Sequence, residues 1–457
     1  MSAKTTFSVA AGLCLPLAVV AQPSTNVVGN GRKVIAAEVE QRETGFEGDH
    51  LTGDWGGTRT KLLDRGVHLQ AGYIGEVIGN ASGGLKRGAV YEGLFEAAVK
   101  LDTRKAGWWE GGTFQISTLF PHGKGFSQEY VGDLLTASNI EAYESWRLYD
   151  LWYEHAFGEK ISVRIGQFSA DEEFALTESG SSFMNAAFGW PAFISANTLN
   201  TGPAYYVAAP GIRFNFELTD QFFIRAAAFD GDSFDSEEGD PRVNAHGTRF
   251  DVGADQGVFG ITEFGFRWDE GVRSDLLPGE YKIGMWAHSG DFVSNFEDEN
   301  RDPYVVSGRR PREHSKNFGV YVALEQMLWR EKEEQGVYVF ARAGVSPEDR
   351  NFFEVVADGG LTWRGMIPSR DEDIFGIGGV YARISRDIRR AEKLDAATNG
   401  TVYPAFSNHE TVLEGFYQIQ LAKWWTLQPD VQWIFNPGGN ESVPDAVVVA
   451  LRTSLVF

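Results

Sequence analysis

The amino-acid sequence predicts an all-β protein: a transmembrane antiparallel β-barrel of about sixteen strands, with constriction loops folded into it. Three observations lead there. The stretch Ala446 to Phe457 alternates at period two, with Val447, Val449, Leu451, Thr453, Leu455 and Phe457 on one face and the smaller residues with Arg452 on the other. The same alternation recurs over most of the chain after residue 67. The connections between alternating stretches fall into two sets, short ones after every second stretch and long ones between. A hydrophobic strand at the end of a chain is an aggregation hazard unless it closes a barrel against the first strand, because closure removes the sheet edge.

Bulk properties are compatible with this and exclude other classes. The mean hydropathy of -0.25 would suit a water-soluble protein, but a membrane barrel spreads its apolar residues over short alternating strands and escapes that measure. Past the N-terminus, no apolar run approaches the roughly 20 residues of a membrane helix. The 53 glycines and 13 % aromatic residues suit tight turns, strands and interfacial girdles. A net charge of -22 argues against a nucleic-acid partner and gives no support to a pore dedicated to anions.

Taken in order, residues 1–21 have Lys4, an apolar stretch from Phe7 to Val20 and small residues before Gln22, which predicts a secretory signal peptide. The single cysteine, Cys14, lies inside it, so disulfides are expected to play no part in the mature chain. Residues 22–50 are polar and read as a periplasmic N-terminal extension, and residues 51–66 as a short helical plug or lead-in stopped at Gly66. The barrel is expected over 67–457. Its strands are expected at 67–77, 88–102, 112–120, 146–157, 161–168, 211–218, 221–230, 258–268, 280–289, 317–328, 336–346, 352–364, 375–386, 411–422, 424–435 and 446–457. Long connections at 121–145, 169–210, 231–257, 290–316 and 387–410 alternate with turns such as Gly158-Glu159-Lys160 and Thr219-Asp220. That segregation is the topology of an outer-membrane barrel with both termini in the periplasm. Trp108-Trp109, Phe222-Phe223 and Trp424-Trp425 sit at the short-turn side, as an aromatic belt requires.

Two constellations carry the chemistry. Connection 169–210 holds Phe174, Phe183, Phe188, Trp190, Phe193, Tyr205 and Tyr206, too apolar for a loop in water, and is expected to fold into the barrel. Its acidic members Asp171 and Glu172 supply acceptors, and Trp190 a flat apolar face for a sugar ring. The second constellation is the polar face of the early strands: Glu92, Glu96, Trp146, Trp152, Glu154 and Arg213, with Arg87 just before the second strand. Mixed charge with tryptophan suits uncharged polyhydroxy solutes better than a ring of one sign, which would select ions. A one-residue error of phase would invert any of these assignments. No enzyme motif rises above background. Gly231-Asp232-Ser233 is a three-residue match to an esterase nucleophile block, and no metal, cofactor or phosphate-cradling motif is present.

Several segments together resemble the carbohydrate-selective, OprB-type porins: LTGDWGGTRTKLLDRGV (51–67), RLYDLWYEH (147–155), VRIGQFSADEEFA (163–175), GPAYYVAAPGIRF (202–214) and EGFYQIQLAKWWTLQPDVQWIFNPGG (414–439). The resemblance implies a sixteen-stranded channel in the outer membrane of a Gram-negative cell. It would be narrowed by inward loops, pass small neutral sugars such as glucose, and other small polar solutes, by facilitated diffusion, and be surrounded by outer-membrane lipid. Arg87 and connection 169–210 are the matches to its constriction. The resemblance leaves the choice between monomer and homo-oligomer open. A general diffusion porin, and a structural or adhesive barrel with a plugged lumen, are the alternatives.

Overall fold

The computed structural model describes residues 49–236, 239–250, 252–253, 256–268, 276–332, 335–400 and 408–457. The expected signal peptide and nearly all of the 22–50 extension lie outside the described residues. Sixteen strands form the barrel: β1 (Val67–Ser82), β2 (Gly88–Asp102), β3 (Gly112–Gly123), β4 (Arg147–Phe157), β5 (Ile161–Phe168), β6 (Ala209–Glu217), β7 (Phe222–Asp230), β8 (Val258–Trp268), β9 (Gly279–His288), β10 (Asn317–Arg330), β11 (Gly336–Val345), β12 (Phe353–Arg364), β13 (Ile374–Ile384), β14 (His409–Ala422), β15 (Trp425–Phe435) and β16 (Ala446–Val456). Each pairs antiparallel with its sequence neighbours, and β16 pairs with β1 from Val456 opposite Gly72 to Val447 opposite Ser82, so the sheet closes.

The two faces of the wall are inverted relative to a water-soluble sheet. On the outside, Ile283 is 65 % exposed and Phe264 54 %, while their inward neighbours Lys282 and Glu263 are buried. In water such an outer face would cost about 25 cal/mol per Å² of apolar surface. Against lipid it costs nothing, and the closed ladder satisfies every strand amide internally. The last strand follows the same rule, with Val449 and Leu451 outward and Val448 and Arg452 buried inside. Among the described residues no helix is long and apolar enough to cross a membrane, which bears only on helices.

The short turns, the helix Thr58–Asp64 and the C-terminus share one end. Leu51 N–H donates to the Val456 carbonyl at 2.8 Å, and an Arg59 guanidinium nitrogen donates to the Phe457 carbonyl at 2.9 Å. Gly66 ends the helix at φ +84, where a side chain would be strained and a Cβ would meet the Asp102 carbonyl at 2.5 Å. Stacked Trp108–Trp109 and Trp424–Trp425, with Trp329 edge-on to Trp363, lie at this end. Two elements were not read from the sequence. Connection 290–316 contains a ribbon, Phe292–Asp298 paired with Pro311–His314, and the helix Arg386–Asn399 occupies the next long connection.

Candidate functional site

Sixteen strands enclose more space than wall side chains can fill, and residues 169–208 enter it. This segment leaves β5, yet its backbone is bonded to strands on the far side of the ring. Glu263 of β8 accepts from Ala175 N–H at 2.7 Å, Glu325 of β10 from Glu178 N–H at 2.7 Å, and Glu414 of β14 from Asn185 N–H at 2.9 Å. Arg342 of β11, fully buried and paired with Asp358 at 2.9 Å, donates to the carbonyls of Ala175, Ala187, Phe188 and Gly189. Contacts of that span require the segment to cross the interior. Irregular backbone has no ladder to satisfy its polar groups, and these wall charges supply the missing partners.

Apolar packing completes the filling. Phe183 and Phe188 stack on each other and lie over Gly378 of β13, and Phe193 lies over Gly344 of β11. A Cβ at Gly344 would meet the Phe193 ring at 2.3 Å. Connection 124–146 is held likewise: Glu410 of β14 accepts from the Leu134 and Leu135 amides, and Arg452 pairs with Glu76 and donates to Asn139.

The filling does not cover the whole inner wall. On β2 to β5 the inward polar residues Glu96, Gln115, Glu154 and Arg164 remain half-buried, and Glu172 of the inserted segment is half-buried opposite them. Behind this strip stands an ion-pair network. Arg164 bonds Glu154 and Glu173, each at 2.9 Å, and Arg213 bonds the same two carboxylates at 2.9 Å. Arg225 donates to the Glu173 carbonyl at 2.5 Å, and the Arg164 guanidinium lies 4.0 Å from the Trp152 ring centre. Burial works to raise the Glu173 carboxyl, but Arg164, Arg213 and Arg225 override it and hold it at about 2. Burial pushes Asp171 up to about 6, and burial with the nearby Asp150 and Asp171 pushes Glu172 well above the usual range. The strip therefore offers guanidinium surface backed by a buried indole, amide and carboxyl hydrogen-bonding groups, and no ring of one charge.

The residues named from sequence fall in different places. Trp152, Glu154 and Arg213 meet in the network, with Glu96 and Glu172 on the same strip. Glu92 is buried opposite Glu76 in register, away from the strip. Asp171 faces its own segment, accepting from Tyr205 N–H at 2.8 Å. Arg87 is exposed at the long-connection end, outside the strip. Two expectations need correction. Trp146 is 52 % exposed on the outer face, stacked on Phe120 at 4.6 Å, because a bulge opposite Ile116–Thr118 shifts the phase of β4. The same shift turns Arg147 inward, where it donates to the Tyr206 carbonyl at 2.6 Å. Trp190 is buried within the inserted segment, its indole N–H donating to Thr201 at 2.9 Å, so it presents no face to a solute. Arg342 and Arg147 were not singled out from sequence; for Arg342 an arginine on the inward phase of a strand was the available signal, whereas Arg147 is brought inward only by the bulge. Ser233 of the esterase-like block donates to the carbonyls of Asn200 and Gly202, as a loop brace.

The model of the OprB family, carbohydrate-selective porins, matches residues 86–457. The chain belongs to this family. It is a carbohydrate-selective porin. It is similar to Porin B of Pseudomonas aeruginosa, 24 % identical over 89 % of this chain and 91 % of that protein. It is also similar to the putative porin QuiX of Acinetobacter baylyi, 21 % identical over 89 % of this chain and 93 % of that one. Among solved structures, the high-pH form of Pseudomonas putida OprB superposes with a TM-score of 0.82 at 25 % identity, covering 91 % of this porin and all of that chain. For a porin, the segment across the lumen and the strip left open beside it are the parts that decide what passes.

Proposed function

We propose that this porin sits in the outer membrane of a Gram-negative cell, exported by residues 1–21, and passes neutral monosaccharides down their gradient along the strip on β2 to β5. Residues 169–208 fill the opposite side of the lumen and set the width of the passage. The observation that carries the reading is the partly open interior: half-buried Glu96, Gln115, Glu154, Arg164 and Glu172 line one strip beside a buried aromatic packing. A solute moving there exchanges water for hydrogen bonds to carboxyl, amide and guanidinium groups. Each contact is weak, as flux requires, since a tight site would hold the solute and block the channel.

The test is swelling of liposomes carrying the refolded chain. Glucose is expected to enter faster than an amino acid of similar size and faster than a disaccharide. Equal entry of glucose and the amino acid would make it a general diffusion porin, and no entry of any solute would make it a plugged structural barrel.

A further inference from the structure

At the short-turn end the strip runs down to a cavity of about 310 Å³, roofed by Leu63 of the helix Thr58–Asp64 and lined by His68, Lys100, Asp102, Lys105 and Thr113. Its size falls within the range of about 300–1,000 Å³ of small-molecule sites. The lining is set by register: His68 of β1 is opposite Lys100 of β2, and Asp102 is opposite Thr113 of β3. Its charge is unbalanced. Neither Lys100 nor Lys105 forms an ion pair among the described residues, and Asp102 accepts from the Lys105 backbone N–H at 3.1 Å. On the lumen side Lys100 has Glu154 and Glu172 in its field, but Glu154 is already matched by Arg164 and Arg213, and burial beside Asp150 and Asp171 favours the uncharged form of Glu172. Two ammonium groups thus face one carboxylate in a chain whose net charge is -22, and Thr113 and His68 add hydrogen-bonding groups suited to hydroxyls.

We infer that this cavity is an exit subsite for polyhydroxy monocarboxylates, the acid counterparts of monosaccharides, so that the porin passes sugar acids as well as neutral sugars. The inference rests on the diffusion reading above and extends its substrate class. The carboxylate lies between Lys100 and Lys105, the hydroxyls reach Thr113, His68 and Asp102, and the solute leaves past Leu63. Both lysines reach water, so the attraction is modest and screened by salt.

The experiment compares gluconate with glucose entry into liposomes carrying the full chain, for the natural sequence, the K100Q/K105Q variant and the K100R/K105R variant. The gluconate-to-glucose ratio is expected to fall about fivefold in the glutamine variant, the effect of two exposed charges. It is expected to hold in the arginine variant, and to fall in the natural sequence as salt is raised. A ratio unchanged by the glutamine pair, while glucose still enters, overturns the subsite and leaves the porin reading standing. A ratio lost equally in both variants assigns the lysines a packing role and overturns it as well. If neither solute enters through the natural sequence, the diffusion reading fails and the subsite with it. If the glutamine variant does not fold, salt dependence of the ratio in the natural sequence decides: independence of salt overturns the subsite.

Discussion

Arg342 is the residue on which the position of the inserted segment most depends. Its guanidinium meets four carbonyls of that segment and one wall carboxylate, with no exposed surface. Removing one partner of a buried charged pair leaves the other uncompensated, at a cost of about 3–5 kcal/mol. Arg342→Ala is therefore expected to lower the denaturation midpoint and to raise single-channel conductance as the segment loosens; an unchanged conductance would mean that the aromatic packing alone holds it. Trp190 and Glu172 should separate stability from selection. Trp190→Ala removes a buried ring and is expected to cost about 3–5 kcal/mol. Glu172→Gln, half-buried at the strip, is expected to change the ratio of glucose to amino-acid entry with little effect on the melting midpoint. Identical effects of the two changes on entry would contradict this division.

At the scale of elements, the inserted segments have a pH response of their own. Burial raises the carboxyls of Asp133, Glu141 and Asp171. A carboxyl raised above its unfolded value of about 4 favours the docked state when protonated, so docking strengthens as pH falls from about 7 towards 4. Glu173 behaves oppositely: held at about 2, it contributes stabilisation that is complete above the unfolded value near 4 and is lost as pH falls through about 2. Protection of residues 124–146 and 169–208 from protease is accordingly expected to be greater at pH 5 than at pH 8; greater protection at pH 8 would show that other groups control docking. The elements were unequally legible in the sequence. Strands β8 and β5 begin and end where expected, at 258–268 and 161–168. Strand β1 runs on to Ser82, past the expected 77, because its inward Glu76 and Asn80 are matched by partners distant in sequence. The bulge that reverses Trp146 leaves no signature, since it is defined by the partner strand. The helix Arg386–Asn399 and the ribbon at 292–314 were passed over because only mutual packing, such as Arg390 over Phe296 at 4.2 Å, gives them a place.

For the whole molecule, inward charges of the wall take two main roles: some are buried against an inserted segment and others line the strip left open. Charged residues on inward strand positions were visible in the sequence, but which of these two roles each takes depends on where the segment lies. That is why Glu92 and Glu154 read alike from sequence, while the fold buries one and leaves the other beside the passage. The most direct measurement of the open side uses a thiol. In a Cys14→Ser background, the chain having no other cysteine, Gln115→Cys on β3 and Val356→Cys on β12 would each be treated with a charged methanethiosulfonate reagent while glucose entry is followed. The expected result is modification and a marked fall in glucose entry for Gln115→Cys, with no reaction and unchanged entry for Val356→Cys, which lies fully buried on the opposite wall. Reaction and block at Val356→Cys, with Gln115→Cys unaffected, would place the passage on the other side of the lumen and contradict the account.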